Sequence, residues 1–212
     1  MLTDIQIKDL AKRMTVPLES VEFKDKLPKK LKTNKSYILN LQDSMDDDGN
    51  ENNGTHWVLL QIKETPKGNI YPFYFDSYGA PPPEIVKKRV KENYKKYLPY
   101  SNKDIQSLMN NACGYYCLAL AHYINVFKGR TGDFYTDIEH FLDMFDNLEE
   151  SIDWKKNEYI LKMFFQSTDK DKRKPVDVVS QSHNDYERII NKGSGGMDMM
   201  KIPVATNMNN KH

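Results

Sequence analysis

An α+β fold is what this sequence predicts. Three short strand-like runs are gathered between residues 36 and 79, and segments with helical periodicity lie on either side of them. The last two runs are separated only by a turn-forming stretch, which makes them antiparallel neighbours rather than strands joined by a helical crossover. At 212 residues the chain is long enough for one domain with a proper core, placed at 1–166, ahead of a polar C-terminal tail at 167–212.

The elements follow in order. Residues 4–14 read as a short amphipathic helix, capped by Thr3 or Asp4, with Ile5, Ile7, Leu10, Ala11 and Met14 as its apolar stripe. A basic, proline-broken connector over 22–35 carries Lys24, Lys26, Lys29, Lys30, Lys32 and Lys35 and reads as a solvated loop. SYILNLQD (36–43) is a strand, and the acidic, Asn-rich stretch 44–54 is a loop. HWVLLQI (56–62) is apolar on both faces and so reads as a central strand. NIYPFYFDSYG (69–79) is a third strand, ending at a turn.

If these two strands form a hairpin centred on Pro66, Ile62 opposes Ile70, Val58 opposes Tyr74, and His56 opposes Asp76 at the open end. Three prolines, Pro81 to Pro83, then start a helix over 84–97 with Val86, Val90, Tyr94 and Tyr97 inward. Its outward residues are Lys87, Lys88, Arg89, Lys91, Lys95 and Lys96, a solvated face that leaves DNA as a candidate partner. CLALAHYINVF continues a buried helix that begins near Cys113, and 133–166 is helical with Phe141, Leu142, Phe145 and Leu148 as its core stripe. The tail is polar, with a short helix at most around 184–191.

Composition excludes several classes. A formal net charge of +1 provides no global field that selects nucleic acid or a membrane. No apolar run approaches the roughly 20 residues of a membrane span, and the N-terminus alternates charge with apolar residues, unlike a signal peptide. The two cysteines, four residues apart, make no disulfide framework, so a reducing compartment is expected. Four metal ligands at finger-like spacing are absent, and neither metal nor cofactor is expected.

The chemistry centres on QSLMNNACGYYC (106–117). A cysteine on the first turn of a helix sits where backbone N–H groups are unpaired and the dipole is positive, which favours the thiolate. Cys113 is therefore the candidate nucleophile, with Gly114 beside it leaving room for a substrate backbone. Gln106, seven residues upstream, brings a side-chain amide as an oxyanion donor. Cys117, one turn on, belongs to the core. His122 is rotated about 180° from Cys113 on the same helix, His183 and His212 lie in the tail, and His140 has no obvious carboxylate to orient it. His56, with Asp76 opposite, is the candidate base.

The ordered set GTHW (54–57), FDSYG (75–79), Gln106 and ACGYYC (112–117) resembles the adenovirus maturation protease and the SUMO-specific proteases. It is most similar to the proteases of virophages and Maverick/Polinton elements. The resemblance covers about residues 36–128. It implies a papain-like, adenovirus-protease-like architecture, a small mostly antiparallel sheet packed on the helix that starts at the nucleophile. It also implies His56 as base, Asp76 as its orienter, Gln106 as oxyanion donor, Cys113 as nucleophile and Trp57 as an aromatic wall of the substrate site. The adenovirus enzyme has Glu where this chain has Asp76, and no residue match carries over its peptide or DNA activators.

The expected activity is thus cleavage of a viral precursor, a capsid protein, near glycine during virion maturation. The enzyme would be a monomer in the virion or the host cell interior, not secreted and with no membrane partner. Gly195–Gly196 is a candidate self-cleavage site. The alternatives are an isopeptidase acting on ubiquitin-like tails and an inactive capsid-associated scaffold.

Overall fold

The computed structural model describes residues 1–127, 130–149 and 154–168. The tail predicted over 167–212, with its short helix and Gly195–Gly196, lies outside them, except that residues 167 and 168 belong to the last helix. Four strands form one sheet in the order β1 (Leu18–Phe23), β2 (Lys35–Asn40), β3 (Trp57–Glu64), β4 (Ile70–Phe75). β1 runs parallel to β2, and the other two pairings are antiparallel. Among the described residues five helices surround the sheet: α1 (Asp4–Arg13), α2 (Glu84–Tyr94), α3 (Cys113–Asn125), α4 (Phe134–Leu142) and α5 (Trp154–Thr168). The fold is mixed α+β, as the sequence predicts.

Period-two alternation sorts the strand residues into two layers. Ile38, Trp57, Leu59, Phe73 and Phe75 face α3, and α1, α4 and α5 complete that side. Tyr37, Leu39, Val58, Leu60, Ile62 and Tyr74 face the other side, where Val86 and Val90 of α2 cover them with Leu27, Leu31 and Leu98. β3 is apolar on both faces because it lies inside the sheet with a layer on each side.

β1 is a strand that the sequence reading misses. It is an edge strand, its sequence LESVEF mixes Glu and Ser with apolar residues, and only Val21 is buried. The connector after it, read as solvated, is instead the crossover between parallel strands. It begins with a single 3-10 turn, Lys24–Lys26, and lies along α2. Arg89 donates to the Leu27 carbonyl, Asn93 holds the Leu31 N–H and the Lys29 carbonyl, and the Tyr94 hydroxyl donates to the Leu31 carbonyl at 2.6 Å. Arg89 is thereby tucked in rather than outward, and Tyr97, beyond the helix, is exposed rather than inward. Ile5 is likewise exposed, whereas Ile7, Leu10, Ala11 and Met14 of the predicted stripe are buried. Thr3 caps α1 in a reciprocal box with Gln6.

The hairpin register differs from the sequence count by two. Leu59 faces Phe75 and Ile62 faces Pro72, because Thr65 and Asn69 close the turn and centre it on Lys67. A two-residue shift returns every side chain to its own face, so His56 and Asp76 stay on one side. The last predicted helical region is two helices, broken after Leu142, with Leu148 half-buried between them.

Gly79 closes the turn after β4 with a φ of +72°, and a Cβ there would lie 2.4 Å from the backbone oxygen of Asn102. Both the left-handed conformation and the contact with main chain oppose a side chain. Gly79→Ala is expected to cost about 1–3 kcal/mol, read as a lowered midpoint in urea unfolding. An unchanged midpoint would show that the 76–79 turn can relax.

Candidate active site

The four residues singled out by sequence meet at one end of the sheet. His56 is the residue before β3, Asp76 the residue after β4, and Cys113 the first residue of α3. Gln106 lies in the segment between α2 and α3. Each position has a local cause. Asn40, at the end of β2, accepts hydrogen bonds from the N–H groups of Gln42 and Thr55 on one side-chain oxygen, and the Leu41 N–H donates to the His56 carbonyl at 2.9 Å. Gly54, with a φ of +80°, permits this approach, since a Cβ would lie 2.4 Å from the Asn40 amide. Asp76 begins a tight turn in which the Gly79 N–H donates to its carbonyl at 2.9 Å and the Tyr78 N–H to its carboxylate, also at 2.9 Å.

The imidazole of His56 holds the Asp76 carboxylate through Nε2 at 2.8 Å, which leaves Nδ1 uncommitted to Asp76. Asp76 is buried, and the ring is nearly so. Burial alone pushes the imidazole pKa down. The hydrogen bond that the ring donates to Asp76, the interaction with Cys113, and the negative charges of both outweigh it and carry the pKa to about 9. His56 is therefore cationic at neutral pH, and its partner sulfur sits against a positive charge. The Trp57 N–H also points at Cys113 Sγ, 3.5 Å away. No side chain caps α3, so the first-turn N–H groups remain beside the same sulfur.

Gln106 is buried and oriented from three sides. The Ser77 hydroxyl donates to its Oε1 at 2.6 Å, and its Nε2 donates to the Tyr78 hydroxyl at 3.1 Å and to the Asn110 carbonyl at 3.2 Å. The Ser77 carbonyl also accepts the N–H groups of Ile105 and Gln106. The opposite side of this segment is tied to α5. Asn157 donates to the carbonyls of Ile105 and Asp146. Asn110 donates to the Glu158 carboxylate and accepts the Ala112 N–H, one residue before Cys113. Ser77, Tyr78, Asn110, Asn157 and Glu158 are all absent from the sequence reading. For Ser77 and Tyr78 the signal was their place inside FDSYG, and for Asn110 its place between Gln106 and Cys113; nothing in the sequence marks Asn157 or Glu158.

Two of the predicted contacts differ. Trp57 is buried in the core with its indole N–H donating to the Leu2 carbonyl at 2.8 Å, so what it presents to Cys113 is backbone, not an aromatic wall. Gly114 opens toward α1 rather than toward a substrate, since a Cβ there would lie 3.3 Å from Leu2 and 3.4 Å from Ile7. Its lack of a side chain lets α1 pack on α3. Cys117 is buried, donates weakly to the Trp57 carbonyl at 3.4 Å, and has its thiol pKa raised by burial. His122 bonds the Met14 carbonyl at 3.1 Å, away from this centre. Among the described residues no cluster of three or more His, Cys, Asp or Glu is arranged to hold a metal, and no helix is long and apolar enough to cross a membrane.

No family model and no curated protein matches this chain. Among solved structures, the chain is similar to the ASFV pS273R protease, at 20% identity over 58% of this chain, with a TM-score of 0.35. A selenomethionine form of the same protease gives 20% identity and a TM-score of 0.31. The match spans about two fifths of that protease, 42% and 43% of its chain in the two structures.

Burial lifts the Glu158 carboxyl from 4.5 to about 7, against the downward pull of the Asn110 hydrogen bond and the charge of Lys155. Between those two values the folded chain holds a proton that the unfolded chain has lost. The stability from this group is present below 4.5 and falls as pH rises through 7. Glu158→Gln keeps an acceptor for Asn110 and removes the titration. The drop in melting temperature from about pH 5 to about pH 8 is expected to be smaller in this variant than in wild type. Equal drops would mean that Glu158 is ionised throughout.

Proposed function

We propose that this chain is a cysteine endopeptidase. The observation that carries the reading is the imidazole of His56, hydrogen-bonded to buried Asp76 at 2.8 Å and electrostatically linked to Cys113 at the start of a helix. In the proposed reaction the Cys113 thiolate adds to a peptide carbonyl, and the carbonyl π pair moves to oxygen. Donors around Gln106 and the Cys113 backbone N–H receive that charge. As the tetrahedral intermediate collapses, the C–N bond breaks and the His56 imidazolium gives its proton to the leaving amine. Water, deprotonated by the now neutral imidazole, then hydrolyses the thioester and regenerates the thiolate–imidazolium pair. Asp76 holds the ring so that the nitrogen facing the sulfur is the one that exchanges protons.

The proposed substrate is a viral precursor polypeptide, a capsid protein cut near glycine, which rests on the sequence resemblance. A polyanionic partner such as DNA is also a proposal. It is supported by the packing of the 24–35 connector along α2, which brings exposed Lys26, Lys29, Lys30 and Lys32 to the side of the molecule that carries exposed Lys87, Lys88, Lys91, Lys95 and Lys96.

A thiol-reactive probe at near-neutral pH is expected to label Cys113, beside cationic His56, and to leave Cys117, whose thiol pKa burial raises, unmodified. Cys113→Ala, co-expressed with a candidate capsid precursor, is expected to abolish the cleavage seen with wild type. Equal inertness of both cysteines would point to an inactive scaffold. The pH–rate profile of a cleaved peptide should fall as pH rises through about 9, where His56 loses the proton it gives to the leaving group. Asp76→Asn removes the interaction that offsets burial, so the alkaline limb should move to lower pH. A limb that stays in place would show that Asp76 does not set the charge of His56.

A further inference from the structure

Gln106 has two amide N–H donors, and both are engaged: one on the Asn110 carbonyl at 3.2 Å, the other on the Tyr78 hydroxyl at 3.1 Å. The amide cannot turn over, because that would set Oε1 against the Asn110 carbonyl oxygen, an acceptor facing an acceptor, and the Ser77 hydroxyl holds Oε1 at 2.6 Å as it stands. The amide therefore has no N–H left for a substrate oxygen while Tyr78 is in place. Tyr78 is itself firmly held. Its ring stacks on His56 with centroids 4.5 Å apart and an interplanar angle of 23°, and its backbone N–H is bonded to Asp76. Its hydroxyl accepts from Gln106 but gives its own proton to no acceptor among the described residues.

From this geometry we infer that the Tyr78 hydroxyl is a catalytic hydrogen-bond donor to the oxyanion, with Gln106 acting through it. The inference rests on the cysteine-peptidase reading and replaces direct donation by Gln106 with a two-member chain, amide to hydroxyl to oxyanion. A hydroxyl that accepts a hydrogen bond is polarised into a better donor. It is also protonated throughout the working range: burial first, then the negative charges of Cys113 and Asp76, push the phenol pKa up to about 12.

The test compares wild type with Tyr78→Phe, which keeps the ring on His56 and deletes one oxygen. Three measurements are made on the full chain. They are turnover of a fluorogenic peptide with Gly-Gly before the leaving group, inhibition by the matching peptide aldehyde, and alkylation by iodoacetamide. The aldehyde forms a hemithioacetal in which sulfur bonds carbon, the π pair moves to oxygen and nothing departs, so its affinity reports the partners of that oxygen. Alkylation needs the thiolate but no oxyanion donor. In Tyr78→Phe, kcat is expected to fall about 10²-fold and aldehyde affinity roughly ten-fold or more, with alkylation within about two-fold of wild type. Turnover equal to or faster than wild type would overturn the inference, since Tyr78 would then only block the Gln106 amide. Parallel loss of alkylation would also overturn it, because the damage would lie in the thiolate–imidazolium pair. A wild-type chain that neither alkylates at Cys113 nor cuts peptide would overturn the peptidase reading itself, and the inference with it.

Discussion

The turn Asp76–Gly79 is the constraint on which the active centre depends. In four residues it holds the carboxylate that charges His56, the hydroxyl and carbonyl that orient Gln106, and the ring that covers the imidazole. Its conformation is forced from both sides. The Asp76 side chain accepts the Tyr78 N–H within the turn, and Gly79 lets the backbone pass against Asn102. A strand end thereby becomes the common support for groups that sit far apart in the chain.

Cys113 is fixed in a different way. α3 lies with its apolar side chains against the inner face of the sheet, and its first residue stops beside the start of β3. The N-terminal segment seals that junction. The Leu2 carbonyl takes the Trp57 indole, Leu2 and Ile7 fill the space left by Gly114, and the Met14 carbonyl takes His122. α5 does the equivalent for the Gln106 side, gripping the segment that leads to Cys113 at Ile105 and Asn110. Sheet, N-terminal segment and α5 each hold one part of the centre that joins His56, Asp76, Gln106 and Cys113. Because the buried centre is over-determined in this way, its hydrogen bonds keep their geometry without the cost of ordering mobile groups.

The charge arrangement is self-consistent. One buried carboxylate, one imidazolium and one sulfur at a positive helix end make a site whose charges compensate locally, as buried ionisable groups require. Cys117, four residues on in the same helix, has no cationic partner among the described residues and is held as a neutral thiol by burial. The contrast between the two cysteines is environmental, since both lie on one helix and both are buried.

Much of this was legible in the chain. Apolar runs and turn residues set the α+β class, β3 declared itself central by being apolar on both faces, and Cys113 was placed at a helix start by its neighbours. His56 and Asp76 came out on one face even though the count was off by two, because side-chain alternation has a period of two. Local pattern could reach no further. β1 carries too little apolar signal to be seen, since an edge strand needs only one buried face and takes the rest of its stability from the neighbour it pairs with. Trp57 and Gly114 were assigned outward because sequence cannot say that α1 returns to cover them. Tyr78, Ser77 and Glu158 acquired meaning only from contacts across 28 to 48 positions. Periodicity determines which face a residue takes; which partner meets it there is decided by packing between distant segments, and that exists only in the folded chain.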